Sequence, residues 1–327
     1  MGLKRNNDIC YYLIMAIRRI AGHALAPGRI IKHHIRVHGT EIHVPYIIIT
    51  GTKPGPLLLV TAGIHSAEYV GIQAAIELSS EIDPEELSGT VIIVPVANRS
   101  GFENRTMSMV YEDGKNLNRV FPGDENGTAA DRLAYMLFNT FIRHVDAYID
   151  LHSGDGYEEL IPYVYYVGDT VCEKQASAMA SCVDTEFIVR SRCKTGGAYN
   201  IASVNGIPSV LIERGQLSMY PREEIDADKS DVINIMKYLG MLDGAHETYT
   251  KTPLIEHELF SPATGCWYPE FHPGDTFFEG EKLGTIRDYF GKMIHEITAT
   301  ETGIIIHQCA SLNILKDGPM ISYGAFR

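Results

Sequence analysis

His65 and Glu68 stand three residues apart in Thr61-Ala-Gly-Ile-His65-Ser-Ala-Glu68. An imidazole and a carboxylate at that spacing, on the turn from a strand into a helix, lie side by side and can share one metal ion. The flanks supply such a turn. Pro56-Leu-Leu-Leu-Val60 reads as a buried strand, Gly63 breaks it, and Ala67, Ile72, Ala74, Ala75, Ile76 and Leu78 continue in a helix-compatible pattern. Alone, the pair is a spacing that many chains carry by chance, so a metal reading needs a third ligand. Val145-Asp-Ala-Tyr-Ile-Asp150-Leu-His152 reads as a second strand with His152 at its end, followed by the loop Ser153-Gly154-Asp155-Gly156. Two histidines and one glutamate leave a zinc ion one position for water, the catalytic rather than the structural type of site.

A general base should lie nearby. In Gly206-Ile-Pro208-Ser-Val-Leu-Ile-Glu213-Arg214-Gly215, Ser209 to Ile212 form a short apolar strand with Glu213 at its end. A carboxylate there can take a proton from an attacking water and pass it to a leaving nitrogen. Neighbouring residues on a strand point to opposite faces, so Glu213 is poorly placed to pair with Arg214. In Asp113-Gly-Lys-Asn116-Leu-Asn118-Arg119-Val-Phe121-Pro122-Gly123, the fork of Arg119 suits a carboxylate, and Asn118 could add an amide donor. Asn98-Arg-Ser-Gly-Phe-Glu-Asn-Arg105 follows the strand Val91–Val96. Arg105 could polarise a carbonyl there, with Arg99 as a rival.

The ordered set His65-x-x-Glu68, Asn116-Leu-Asn118-Arg119-x-Phe-Pro-Gly, Asp150-Leu-His152 and Ile212-Glu213-x-Gly215 resembles the succinylglutamate desuccinylase/aspartoacylase family of the zinc carboxypeptidase superfamily. The match runs from about Gly39 to Gly215. The resemblance implies one zinc ion per chain on His65, Glu68 and His152, with Glu213 activating water. It implies Arg119 and Asn118 on a substrate carboxylate and Arg105 on the scissile carbonyl. Asn116 stands where many superfamily members have aspartate, a partner behind the first zinc histidine. An amide can accept that hydrogen bond but brings no charge.

The positioning elements follow from periodicity. Strands are expected near 30–37, 41–49, 57–62, 91–96, 146–151, 163–167 and 209–213, and helices near 67–80, 129–143, 171–183 and 229–242. Gly51 to Pro56 reads as a loop. This alternation predicts an α/β fold, a mixed-sheet carboxypeptidase-like catalytic domain over 1–250 with helices on both faces. From 251 to 327 short β-type runs bounded by Gly and Pro predict a small C-terminal all-β domain. It resembles the one found in the family and, loosely, biotinyl/lipoyl-type folds. Lys292 lacks a recognisable carrier hairpin. His257, His272, His295 and His307 fall in no ligand spacing, which assigns them surface or core roles. The Gly-rich loop Lys194 to Asn200 brings Tyr199 toward the cleft as a candidate substrate contact, and it is no phosphate loop.

Composition sets the outer bounds. The chain has 327 residues, 45% hydrophobic, with net charge −13 and no basic patch, which argues against nucleic acid and anionic membranes as partners. Ile9 to Ile17 is apolar but only about half a membrane span, and reads as an amphipathic helix. Six scattered cysteines with no Cys-x-x-Cys pair fit a reduced, cytoplasmic protein. The chain could form a homo-oligomer. The expected activity is zinc-dependent hydrolysis of the amide of a small N-acyl amino acid or related carboxylate. A peptide-cleaving carboxypeptidase and a non-catalytic carboxylate-binding protein are the alternatives. No Gly-x-Ser-x-Gly elbow supports a serine esterase.

Overall fold

Apolar runs too long to leave one face in water must be covered on both sides. In the computed structural model, which describes residues 18–192 and 195–326, those runs form the middle of a mixed sheet. The apolar stretch 9–17, Cys10, Cys193 and Lys194 lie outside the described residues.

A small ribbon of β1 (Arg19–Ile20) and β2 (His23–Ala24) precedes β3 (Arg29–Arg36), β4 (His43–Thr50) and β5 (Lys53–Ala62). Helix α1 (Tyr69–Glu81), β6 (Ser88–Val94) and the short α2 (Arg99–Asn104) follow, then α3 (Ala129–Thr140) and β7 (Ala147–His152). Next come β8 (Glu158–Leu160), β9 (Tyr163–Val167), α4 (Glu173–Ser181), β10 (Phe187–Ser191), α5 (Ala198–Val204), β11 (Ser209–Glu213) and α6 (Arg222–Tyr238). No helix follows among the described residues. Strands β12 (Thr252–Phe260), β13 (Gly265–Pro269), β14 (Thr276–Phe277), β15 (Lys282–Arg287), β16 (Met293–Thr298), β17 (Gly303–Cys309), β18 (Asn313–Ile314) and β19 (Pro319–Phe326) complete the chain.

The large sheet runs β14-β17-β19-β12-β10-β9-β11-β7-β5-β6-β4-β3, with β8 paired to β17. At its centre β5, β6, β7 and β11 are parallel. Leu57, Leu59, Tyr148 and Leu211 pack on one face against α3 and α5. Leu58, Val60, Ile149 and Ile212 pack on the other against α1, α4 and α6. Helices therefore cover both faces, as expected. The C-terminal strands β12, β19, β17 and β14 extend the same sheet through the β10–β12 pairing. Strands β16-β15-β13-β18 form a separate sheet around Trp267 and Ile286.

Several boundaries differ from those read in the sequence. Lys53 to Pro56, expected as a loop, already belongs to β5, and a register shift between Lys53 and Leu57 accommodates the two prolines. Helix α6 starts at Arg222 instead of near 229, because its first turn is charged and carries no apolar period. Strand β10 and helix α2 were not expected at all.

The helix that follows Glu68 sits hard against β7. A Cβ at Gly71 would stand 2.7 Å from Leu151 Cβ, so only glycine permits this approach. Gly71→Ala should therefore push α1 off the sheet and destabilise the fold by about 1–3 kcal/mol. Thermal or denaturant unfolding measures this, and an unchanged midpoint would show that α1 has room to shift.

Candidate metal centre

Strand β5 ends at Ala62, and Gly63 turns the chain with φ 65°. Backbone bonds from Ala97 N to Ala62 O (2.9 Å) and from Asn98 N to Gly63 O (2.8 Å) tie this turn to the loop after β6. His65 follows in the turn, and Glu68 is the N-cap residue of α1. On the neighbouring strand the parallel register sets Thr61 opposite Asp150, so His152 leaves β7 beside them. His65 Nδ1 lies 2.7 Å from Glu68 Oε1, and His152 Nδ1 lies 2.9 Å from Glu68 Oε2. Donor atoms of the three residues all fall within 4.8 Å of one another, close enough to hold a metal ion.

The remaining ring nitrogens are held from behind. His65 Nε2 is 3.1 Å from Asn116 Oδ1, which also accepts the Asn118 backbone N–H at 2.8 Å. His152 Nε2 is 3.3 Å from Asp150 Oδ2, while Asp150 Oδ1 accepts a hydrogen bond from Thr61 Oγ1 at 2.6 Å. Asp150 was not singled out from sequence, although two residues apart on a strand is a same-face spacing. Such partners orient metal-bound imidazoles and raise their basicity.

The donor set fits zinc: two imidazole nitrogens, one carboxylate and outer partners on both rings. Burial sharpens the case. Asp150, His152 and Glu68 are 0%, 1% and 2% exposed, and neither Asp150 Oδ2 nor His152 Nε2 has a hydrogen bond of good geometry. Two buried carboxylates need compensating positive charge. Burial pushes the Glu68 carboxyl up, but His65 and His152 outweigh it and hold it down at about 2. Burial opposes charging of His152, yet Glu68 and Asp150 outweigh that and raise its pKa well above the ordinary value.

Glu213 ends β11, opposite His152 on β7 and opposite Tyr163 on β9. Directly paired residues share a face, so Glu213 and His152 project from the same side of the sheet. Among the described residues Glu213 has no hydrogen-bond or ion-pair partner. Burial, the largest influence, pushes its carboxyl well above the ordinary range. His152 and His307 pull it down, and Glu68 and Glu158 push it further up. Arg214 turns the other way, onto Asp228, Asp231 and Glu224 of α6 at 3.5, 2.7 and 3.7 Å.

The expected arginines sit on loops around this centre. Arg119 is exposed; its guanidinium donates to Asn118 O at 3.0 Å and has no acidic partner among the described residues. Asn118 is buried, and its Oδ1 accepts the Ala198 N–H at 2.9 Å, joining this loop to α5. Arg105 is exposed, left-handed at φ 56°, and without an acidic partner among the described residues, whereas Arg99 is engaged by Glu103 at 2.8 Å. Tyr199 is buried and donates its hydroxyl to Ser191 Oγ at 3.0 Å. Seven described non-glycine residues have positive φ, and four of them (Arg105, Met107, Leu217 and Ser218) lie on the loops beside the centre. Those loops meet: Ser66 N donates to Met107 O, and Ser218 N donates to Gly154 O. Backbone strain of this kind concentrates where a site over-determines its loops.

A further group of polar residues beside Glu213 was missed. Glu158 on β8 lies 3.5 Å from His307 of β17. Burial opposes charge on His307, but Glu158 outweighs it and lifts the imidazole to about 9. Glu213 and Glu256 add to that rise. Tyr165 of β9 donates to Glu256 of β12. His307 had been given a surface or core role; pairing of β17 with β8, where His307 stands opposite Leu160, brings it to the site instead.

A model of the succinylglutamate desuccinylase/aspartoacylase catalytic domain matches residues 54–239. The chain is 40% identical over 226 residues to the N-alpha-acetyl-L-2,4-diaminobutyric acid deacetylase of Halomonas elongata. The alignment covers 67% of this chain and 64% of that relative, so slightly less than two thirds of the relative is spanned. The fold is similar to that of the product-bound ectoine utilization protein EutE (DoeB) from Ruegeria pomeroyi, with TM-score 0.81 and 22% identity, covering 93% of this chain and 97% of that one. It is also similar to a succinylglutamate desuccinylase/aspartoacylase from Rhodobacter sphaeroides, with TM-score 0.78 and 23% identity, covering 88% and 90%. At such identities the structural likeness speaks for the fold alone.

Replacing His65, Glu68 or His152 with alanine should abolish stoichiometric metal, read by elemental analysis of the purified protein. Metal uptake must also displace the proton that Glu68 and Asp150 hold on His152, so affinity should rise with pH through neutrality. Calorimetry in buffers of different ionisation enthalpy should record about one proton released near pH 7. Uptake without proton release would contradict a charged His152.

Proposed function

The chain belongs to the succinylglutamate desuccinylase/aspartoacylase family, and from that premise we propose that it is a zinc-dependent hydrolase of small N-acyl amino acids, with one zinc ion per chain. The reading rests on one observation above all. His65, Glu68 and His152 converge, and Glu213, without a hydrogen-bond partner among the described residues, stands in register beside His152. Similarity to the Halomonas elongata deacetylase supports N-acetylated amino acids as the class, with N-α-acetyl-2,4-diaminobutyrate the first to try.

Zinc held by His65, Glu68 and His152 would supply a Lewis acid for the acyl oxygen and make water nucleophilic near neutral pH. The protein's own groups do the rest. Arg119, with no acidic partner among the described residues, binds the substrate carboxylate, and the Asn118 amide supports it. Arg105 would serve the developing oxyanion; one such donor contributes about 3–4 kcal/mol. Asn116 and Asp150 keep the two imidazoles in orientation. A Glu213 carboxylate oxygen takes the proton as water adds to the acyl carbon. It returns that proton to the amide nitrogen as the carbon–nitrogen bond breaks, releasing a carboxylate and a free amine. Tyr199, expected as a substrate contact, donates its hydroxyl to Ser191 Oγ at 3.0 Å and would instead steady Tyr165, at a ring distance of 6.1 Å.

Glu213→Gln should keep its metal and lose about 10²–10⁴-fold in turnover. Full activity in that variant would remove Glu213 from the role. Glu213 works ionised, and burial raises its pKa. In the wild type kcat/KM should therefore decline as pH falls through that raised value, and residual activity of Glu213→Gln should lack this limb. Arg119→Lys should raise KM on N-acyl amino acids more than it lowers kcat, since an ammonium cannot copy the fork. A panel of N-acetyl, N-succinyl and N-formyl amino acids, run beside dipeptides, tests the class itself.

A further inference from the structure

The register of the sheet carries a strip of polar side chains away from the metal centre. Glu213 is opposite Tyr163, and Tyr165, two residues on, shares its face. Tyr165 is opposite Val189 on β10, and Val189 is opposite Leu254 on β12. Glu256, two residues beyond Leu254, thus projects from the same face as Glu213. Three strand steps, roughly 14 Å, separate them across the sheet, and Glu256 lies four residues, roughly 13 Å, further along β12 than Thr252, the residue level with Glu213. His307 lies within electrostatic reach of both carboxylates.

Glu256 is a carboxylate in need of a cation. It accepts hydrogen bonds from the hydroxyls of Tyr165 and Ser322, both neutral. No Lys, Arg or His pairs with it among the described residues. Burial, only partly offset by those hydroxyls, raises its pKa. The positive group nearby is His307, already engaged with Glu158 at 3.5 Å. His307 thus serves Glu158, Glu213 and Glu256 at once, Glu213 also lies near His152, and among the described residues Glu213 has no hydrogen-bond partner. A metal ion is a poor candidate for the missing charge. Among the described residues only His65, Glu68 and His152 bring three donors within ligand distance. An organic cation can reach carboxylates that do not converge.

We infer that Glu256, held by Tyr165, is a specificity-determining residue that receives the ammonium of a substrate with a short cationic side chain, a diamino acid acylated on its α-nitrogen. The inference rests on the hydrolase reading above and adds the group that reads the side chain. Arg119 takes the carboxylate and Glu256 takes the ammonium, so the substrate's own dipolar character orients its amide between them. A buried carboxylate pairs best with a charged donor.

The test compares N-α-acetyl-L-2,4-diaminobutyrate with N-acetyl-L-norvaline, in which a methyl replaces the ammonium at nearly equal size. Wild-type enzyme should prefer the cationic substrate. Glu256→Gln keeps an acceptor for Tyr165. It should lower kcat/KM for the cationic substrate by about 30-fold or more, chiefly through KM, and leave norvaline within about threefold. Equal losses on both substrates, or no loss on either, would overturn the inference. Tyr165→Phe, which frees Glu256 without removing its charge, should weaken the preference without abolishing it. Binding of the deacylated products, diaminobutyrate and norvaline, is measured alongside by calorimetry. A wild type that hydrolyses neither substrate, yet binds diaminobutyrate in preference through Glu256, would sink the hydrolase reading and leave the inference standing. A wild type that binds the two products equally would overturn the inference whatever it hydrolyses.

Discussion

Everything at this site depends on one carboxylate, that of Glu68, placed between two imidazoles and shut away from water. Each of its oxygens faces one ring, at 2.7 and 2.9 Å. Desolvating such a group costs several kcal/mol unless charge is supplied close by. The sheet supplies it by alignment. Parallel pairing of β5 with β7 brings both strands to an end at the same level, so His65 and His152 arrive from separate loops at one point. The helix that starts at Glu68 could not approach without Gly71 against Leu151. Ser153 N then donates to Glu68 Oε2 at 3.2 Å, closing the loop after β7 over the same carboxylate.

The charge around that centre is divided by element. Loops after β6 and before α3 bring Arg105 and Arg119, both without acidic partners among the described residues. Strands β8, β9, β11, β12 and β17 bring Glu158, Glu213, Glu256 and His307, with tyrosines between them. A net charge of −13 says nothing about this polarity, because it averages two unlike sides of one cleft. The acidic side exists because C-terminal strands join the large sheet: β12 carries Glu256 in, and β17 carries His307 to β8. The C-terminal β-region is thus part of the wall around the centre.

The sequence made the metal-binding side legible. His65, His152 and Glu213 each close an apolar run, and a polar residue closing such a run at a strand's carboxyl end stands out against it. The mixed sheet with helices on both faces followed from the alternation of strands and helices. The other side was less legible. Glu256 lies in a strand of mixed polarity and His307 follows the apolar run Ile304-Ile-Ile306, but the approach of both to the centre depends on pairing with strands far away in the chain. His307 meets Leu160 of β8 across a gap that no local pattern encodes. Strand β10 was overlooked because Phe187-Ile-Val is short and sits among turn residues. The start of β5 was overlooked because prolines rarely begin a central strand; here a register shift absorbs them.

The two residues at the end of β11 show how the sheet divides its labour. Glu213 and Arg214 are neighbours in sequence and face opposite ways, because side chains alternate along a strand. On the far face Arg214 is buried among Glu224, Asp228 and Asp231 of α6. Asp228 makes no hydrogen bond, and burial, more than Arg214 offsets, pushes its carboxyl well above the ordinary range. Removing the guanidinium from such a cluster would leave uncompensated buried charge, which costs about 3–5 kcal/mol, more than most surface contacts could restore. Arg214 therefore pins the end of β11 to α6. Its backbone N–H donates to His152 O at 3.1 Å, so the same residue also fixes β11 against the strand that carries His152. Glu213 needs no hydrogen bond of its own to be held in place. Its backbone is immobilised from behind, and among the described residues its carboxylate has no partner on the face it shares with His152.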